Sequence, residues 1–191
     1  MPPKTKFDKE AIIDAALAVA KEEGFSGITA RSVADRLQSS VAPIYVNFAT
    51  IDDLVDAVVE RVFSISEELL TNQKGNNMFE NIGKASIDFA REYPVLFREL
   101  SLQPNPYMPS YETVENTMVD VMAEDETMKG WTLQERRRLL LKMRVFQMGL
   151  SAMVANGHVP SWLDNQEFDQ LLMEVGDDIL LAHQIKRKEN L

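Results

Sequence analysis

Apolar positions recur three and four residues apart along nearly the whole chain, with no convincing stretch of strict alternation. The spacing predicts an all-α protein. Ile12, Ala16, Val19 and Ala20 share one face of a first helix, which Asp8 is placed to cap and Gly24 to stop. Thr29 opens a short helix carrying Val33, Ala34 and Leu37. Ser39 and Ser40 then make a turn, with Ser40 placed to cap a third short segment running to about Phe48. Thr50 starts a longer helix, 50–72, striped by Leu54, Val58, Val62, Ile65 and Leu69, and Asp52 and Asp53 complement its N-terminal dipole.

After the polar break at 73–77, four larger helical stretches are predicted near 79–102, 110–126, 132–157 and 165–187. The Pro-rich segment 103–109 and the Gly-containing segments 128–131 and 157–160 separate them. Thr132 with Glu135 forms a capping box, and Gly157 is a stop before Pro160. Three short helices ahead of longer ones divide the chain into an N-terminal domain, 1–49, and a larger helical domain, 50–191.

Composition narrows the chemistry. The 191 residues include no cysteine, which removes disulfides, thiolate metal sites and cysteine nucleophiles. The two histidines, His158 and His183, lie far apart; the first reads as a turn residue and the second as a cation near a helix C-terminus. No Asp or Glu pairs with His, Ser or Lys in a catalytic pattern, so no enzyme, metal or cofactor is expected. The N-terminal MPPKTKFDKE lacks the apolar core of a signal peptide, and no membrane span is visible, so a cytoplasmic protein is expected. The net charge of -10 disfavours general nucleic-acid coating. Within residues 1–50, however, Lys4, Lys6, Lys9, Lys21, Arg31 and Arg36 balance Asp8, Glu10, Asp14, Glu22, Glu23 and Asp35. The acidic excess therefore lies beyond residue 50. Arg136, Arg137 and Arg138 read as a solvated helix face, and Lys4, Lys6 and Lys9 equally as a solvated tail or a DNA-contacting arm.

The segment 12–58 carries the functional signal. A helix-turn-helix needs a small residue where its two helices cross (Ala34), a tight turn (Gln38, Ser39, Ser40), and a short second helix that can enter a major groove. Ile44 and Phe48 are spaced to tie that helix to a support. In order along the chain stand IIDAALAVAKEEGF (12–25), ITARSVADRL (28–37), SVAPIYVNF (40–48) and DDLVDAV (52–58). Together these four pieces resemble the DNA-binding domain of the tetracycline-repressor (TetR) family. REYPVLFREL (91–100) is similar to a fragment common in the ligand domains of that family.

The resemblance implies phosphate contacts from Thr29, Arg31 and the Tyr45 hydroxyl, and base reading by Ser40, Val41, Ala42 and Pro43 at the front of the recognition helix. Val41 and Ala42 could read only apolar features such as a thymine methyl. Two positions depart from the family pattern. Gln38 stands where the family usually has Gly, tolerable in a near-helical conformation and costlier at positive φ. Ile51 stands where it usually has a phosphate-contacting Lys.

For the larger domain, the resemblance implies an effector pocket and a dimer interface. Met118, Met122, Met143, Met148, Met153 and Met173 are each most simply core filling. Taken collectively with Phe89, Tyr93, Phe97 and Phe146, they point to an apolar cavity for a small hydrophobic or aromatic effector. Phe89, Tyr93, Phe97, Met118, Met122 and Phe146 are the candidate lining. Leu139, Met143, Phe146, Leu150 and Met153 on 132–157, with Phe168, Leu172, Val175, Ile179 and Ala182 on 165–187, are the apolar series of the two helices that would join a homodimer. The expected function is a ligand-released repressor binding a palindromic operator. The alternative is a ligand-binding or protein-interaction module of the same fold that has lost operator binding, favoured by Gln38, Ile51 and the acidic charge.

Overall fold

The computed structural model describes residues 7–75, 78–109 and 111–189, and among these it contains helices and no strand. Helix α1, Lys9–Glu23, begins where the Asp8 carboxylate accepts the Ala11 N–H at 2.9 Å and ends at Gly24. α2, Ala30–Arg36, starts from a capping box between Thr29 and Ser32. α3, Ala42–Asn47, follows a tight turn. α4, Ile51–Thr71, starts from a second box between Thr50 and Asp53.

Ser40 does not cap α3. Val41 holds the N-cap position with a helical backbone and no side-chain cap, and Pro43 sits in the first turn. A proline there has no N–H to satisfy, which lessens the need for a capping oxygen.

The stretch expected at 79–102 is broken. α5, Met78–Glu92, stops before Pro94, whose ring excludes a continuous ladder and leaves Tyr93 non-helical at φ -130, ψ 57. α6, Pro94–Phe97, is a single turn, and the backbone then widens into a π-type turn over Arg98–Leu102. α7 is Tyr111–Glu124, α8 Leu133–Ala155 with the Thr132/Glu135 box, and α9 Asn165–Glu189. Gly157, at φ +67, follows the end of α8.

The largest core cluster draws on both ends of this order. Ile12, Val33, Ile44, Leu54, Val58 and Val62 are fully buried in it, and Phe89, Leu96, Phe97 and Ala155 belong to the same cluster. The four N-terminal helices are thus packed against α5, α6 and the end of α8 without a polar layer between. A second cluster surrounds Trp131, Val119, Met122, Met128 and Leu139, and a third joins Ile87, Leu150, Phe168 and Leu172 of α5, α8 and α9. Leu139, Leu150, Phe168 and Leu172, four members of the apolar series of the last two helices, are thus buried within the chain. Met153 and Ala182 of the same series are exposed, as are Leu141, Val145, Leu181 and Ile185 on the same two helices.

The basic run on α8 is also tied down more than its sequence implies. Arg136 donates to the Trp131 carbonyl at 2.7 Å, and Arg137 pairs with Glu115 at 3.2 Å and donates to Asn116. Only Arg138 of the three is exposed. α7 packs along the start of α8 and supplies Glu115 and Asn116, while the Trp131 carbonyl comes from the turn just ahead of α8.

A clasp joins the end of α1 to the widened turn. The Glu99 carboxylate accepts the Phe25 N–H at 2.9 Å, and the Phe25 ring lies 5.1 Å from that of Tyr107. Gly24 makes this approach feasible, since a Cβ there would stand 2.1 Å from Glu99 Oε1, and its φ of +81 also suits glycine alone. Gly24→Ala is expected to lower stability by more than about 2 kcal/mol. Ser26→Ala, at a neighbouring exposed site, is expected to change it by less than about 0.5 kcal/mol in the same urea titration.

Tyr93 lies in the same core. Its hydroxyl donates to Glu92 at 2.9 Å, and the Lys21 ammonium stands 4.6 Å from the ring centre. Burial first, and then the Glu92 carboxylate, push its pKa up to about 12 from an ordinary value of 10.0. The folded chain therefore holds this proton more tightly than the unfolded one, and stability must fall as pH rises from 10 towards 12. Unfolding titrations across that range are expected to show the decline, and Tyr93→Phe is expected to shrink it, with Tyr107, raised for the same reason of burial, carrying the remainder.

Candidate nucleic-acid interface and core cavity

α2 and α3 form the candidate reading element. Ala34, buried at the middle of α2, gives the close crossing, while Ile44 of α3 and Phe48 immediately after it are buried and anchor that helix to the core. Because those two anchors fix the inward face, the residues between and before them must point outward. Val41 is 41% exposed, Tyr45 53% and Val46 73%, and Ser40 and Ala42 are exposed as well. Pro43 is half-buried, and its carbonyl accepts from the Asn47 amide at 2.8 Å. The sequence-derived residues Ser40, Val41, Ala42, Pro43 and Tyr45 are therefore brought together on one short helix and its approach. Val46 was not among them. Its signal lay in the spacing of Ile44 and Phe48, which leaves position 46 without a place in the core.

Thr29 and Arg31 open α2, both exposed. The Thr29 hydroxyl is engaged with Ser32, donating to its oxygen at 3.0 Å and accepting its N–H. Arg31 makes no ion pair among the described residues, whereas the neighbouring cations are occupied. Arg36 pairs with Glu22 at 2.7 Å, which raises its pKa further. Lys21 lies over Tyr93, and Lys9 stands 5.2 Å from the centre of the Phe48 ring. Lys4 and Lys6 lie outside the described residues. Ile51 is half-buried and packs on the first core, so the position takes an apolar contact where a lysine would reach outward.

Residues 12–58 match the family described as bacterial regulatory proteins, tetR family. The match covers the four N-terminal helices as far as Val58. The chain's fold is similar along most of its length to that of a TetR-like transcriptional regulator from Rhodococcus sp. RHA1, at 16% identity and a TM-score of 0.63, covering 87% of this chain and 92% of that one. The fatty acid degradation regulator FadR from Bacillus halodurans is similar at 16% identity and a TM-score of 0.57, with coverages of 94% and 96%. A TetR variant from Acinetobacter baumannii AYE in complex with minocycline gives 17% identity and 0.54, with coverages of 95% and 99%. No curated protein sequence matches the chain significantly.

The larger helical body contains a cavity of about 510 Å³ between α5, α8 and α9, within the size range of ligand sites. Phe79, Met143, Phe146, Leu172 and Leu180 give it apolar walls, with Glu80, Asp125 and Asp177 among its polar groups. Of the six sequence-derived ligand residues, Phe146 alone lines it. Phe89, Tyr93 and Phe97 are packed in the first core beside α1, and Met118 and Met122 pack in the cluster around Trp131. The missed signal was a pair of glycines inside helical patterns, Gly83 and Gly176, both of which line the cavity. No helix among the described residues is long and apolar enough to cross a membrane, and none of their acidic and histidine side chains cluster as a metal site.

The turn between α2 and α3 holds one non-glycine residue at positive φ, Gln38 at +51. This left-handed conformation is costly for a residue with a Cβ. Gln38→Gly is expected to raise stability by about 0.5–1 kcal/mol, the removed strain exceeding the added backbone entropy of the unfolded chain. Denaturant midpoints of the two proteins check this, and a drop in stability would mean that the Gln38 side chain contributes contacts exceeding the strain.

Proposed function

We propose that this chain is a regulator of the TetR family, a ligand-released repressor that binds a palindromic operator as a homodimer. Residues 1–49 serve as the reading domain, and 50–191 as the effector-binding and dimerisation body. The observation that carries the reading is the split character of α3, with Ile44 and Phe48 buried and Val41, Ala42, Tyr45 and Val46 turned out. A short helix held from below with exposed apolar and hydroxyl groups in front is suited to a major groove. Val41, Ala42 and Val46 would meet thymine methyls, and Arg31 and Tyr45 would position the helix on phosphates.

The outward residues Leu141 and Val145 of α8 and Leu181 and Ile185 of α9 support a symmetric four-helix contact between two copies. Two reading helices related by a two-fold axis must fit successive major grooves about 34–36 Å apart. An effector that moves α5 would be felt at α4, on which α5 packs, and α4 is held to α1 by Arg61, paired with Glu10 and with Asp14 at 2.9 Å. A change of a few ångströms in head spacing would then release the operator. Action in the cytoplasm, with no catalytic step, completes this reading.

A second reading, that operator binding has been lost, is favoured by the engaged cations Lys9, Lys21 and Arg36 and the inward packing of Ile51. Selection from a random duplex library by the full chain separates the two. The repressor reading expects a palindrome bound by a dimer, with a shallow log–log salt slope of about -2 to -4 because few phosphates are neutralised. Tyr45→Ala is expected to weaken it by about tenfold or more, equivalent to roughly 1.4 kcal/mol. A chain that selects no sequence even at low salt supports the second reading.

A further inference from the structure

The last two helices carry their charges unevenly along their length. α8 holds all its charged side chains between Glu135 and Arg144, and every one after Glu135 is basic. α9 holds only carboxylates, from Glu167 to Asp178, until Lys186 near its end. The two helices run antiparallel. Arg187 pairs with Glu135 at 3.0 Å at one end, and Leu150 packs with Phe168 and Leu172 at the other. The acidic first half of α9 therefore lies beside the uncharged second half of α8.

The exposed residues turn this into a polarised face. Arg138, Leu141, Lys142 and Val145 are exposed at spacings of three and four along α8, and Glu174, Asp178, Leu181 and Ile185 are exposed at the same spacings along α9. Arg138, Leu141 and Lys142 line one groove with Lys186 and Arg187, so the two stripes adjoin at that end. From there the face runs from Arg138 and Lys142, past the apolar Leu141, Val145, Leu181 and Ile185, to Asp178 and Glu174. Arg137 and Arg187 are paired within the chain, whereas Arg138, Lys142 and Asp178 form no ion pair among the described residues. Glu174 accepts only the neutral Gln170 amide, at 2.6 Å.

A second copy can be laid against this face about a two-fold axis in two senses. With the axis along the helices, basic end meets basic end and acidic meets acidic. With the axis across them, each basic end meets the partner's acidic end while the apolar middle still packs on itself. Like charges juxtaposed across an interface disfavour an arrangement strongly, and opposite charges fix its register.

We propose that two copies join through α8 and α9 with the axis across the helices, Arg138 and Lys142 of each copy opposing Glu174 and Asp178 of the other, and that these charges set the polarity of the dimer. This rests on the homodimer reading above and states how the copies are opposed.

Sedimentation equilibrium of the full chain tests it. Raising NaCl from about 0.05 to about 0.5 M is expected to weaken the dimer about tenfold or more, because screening removes the attraction at both ends. Arg138→Glu with Lys142→Glu makes both ends acidic, and Glu174→Lys with Asp178→Lys makes both basic. Each pair is expected to weaken self-association about tenfold or more, and all four changes together to restore it within about threefold. All four positions are exposed, and thermal melting confirms that the variants fold. A dimer that tightens with salt would mean that like ends meet, and would overturn the proposal. So would a dimer indifferent to both reversals, or a fourfold variant no stronger than the pairs. Those outcomes leave the homodimer reading standing, whereas a chain that is monomeric at every salt concentration would sink both.

Discussion

The structure depends on one buried seam, the face of α4 that packs Leu54, Val58 and Val62 against α1. These side chains are fully withdrawn from water, and they belong to a cluster that continues through Phe89, Leu96 and Phe97 into the body. Burial of this kind is non-directional but strongly dependent on close packing, so a rigid shift of α4 must take α1 with it. The helix pair α2 and α3 is mounted on α1 and α4 through Ile44 and Phe48. Orientation of the head is therefore a property of the same core that closes the body.

Most of the helices were legible because each begins with a local chemical signal. Asp8, Thr29, Thr50 and Thr132 all cap as their side chains and positions predict. What failed were places where a tertiary or backbone constraint overrode a pattern. The apolar spacing of 79–102 is genuinely helical, and it hid Pro94, which removes a donor without disturbing the period. Ser40 is a good capping residue in a place where Val41 is already helical and no cap is formed.

The candidate interface was more legible than the cavity for a related reason. On α3 the anchors Ile44 and Phe48 determine everything else, so six residues of sequence specify which side chains face out. The cavity is bounded by helices far apart in sequence, and its walls cannot be told from ordinary core by residue type. Phe89 and Phe97 are as aromatic as Phe79 and Phe146, yet they fill space beside α1. The same ambiguity affected α8 and α9, where Leu139, Leu150, Phe168 and Leu172 are buried inside the chain while Met153 and Ala182 of the same series are exposed beside Leu141, Val145, Leu181 and Ile185. Periodicity locates a stripe and does not say whether its partner is the same molecule.

The clasp between Glu99 and Phe25 gives this architecture a mechanical character of its own. A single carboxylate spans 74 positions of sequence to hold the end of α1, and it does so with a side chain resting on the bare Cα of Gly24. Side-chain torsions can follow small displacements of the widened turn, but the hydrogen bond weakens steeply once its geometry is lost. Such a joint behaves like a detent, holding its setting under minor jostling and yielding abruptly past a threshold. Through it, gradual adjustments near Pro94 would reach the head as a step.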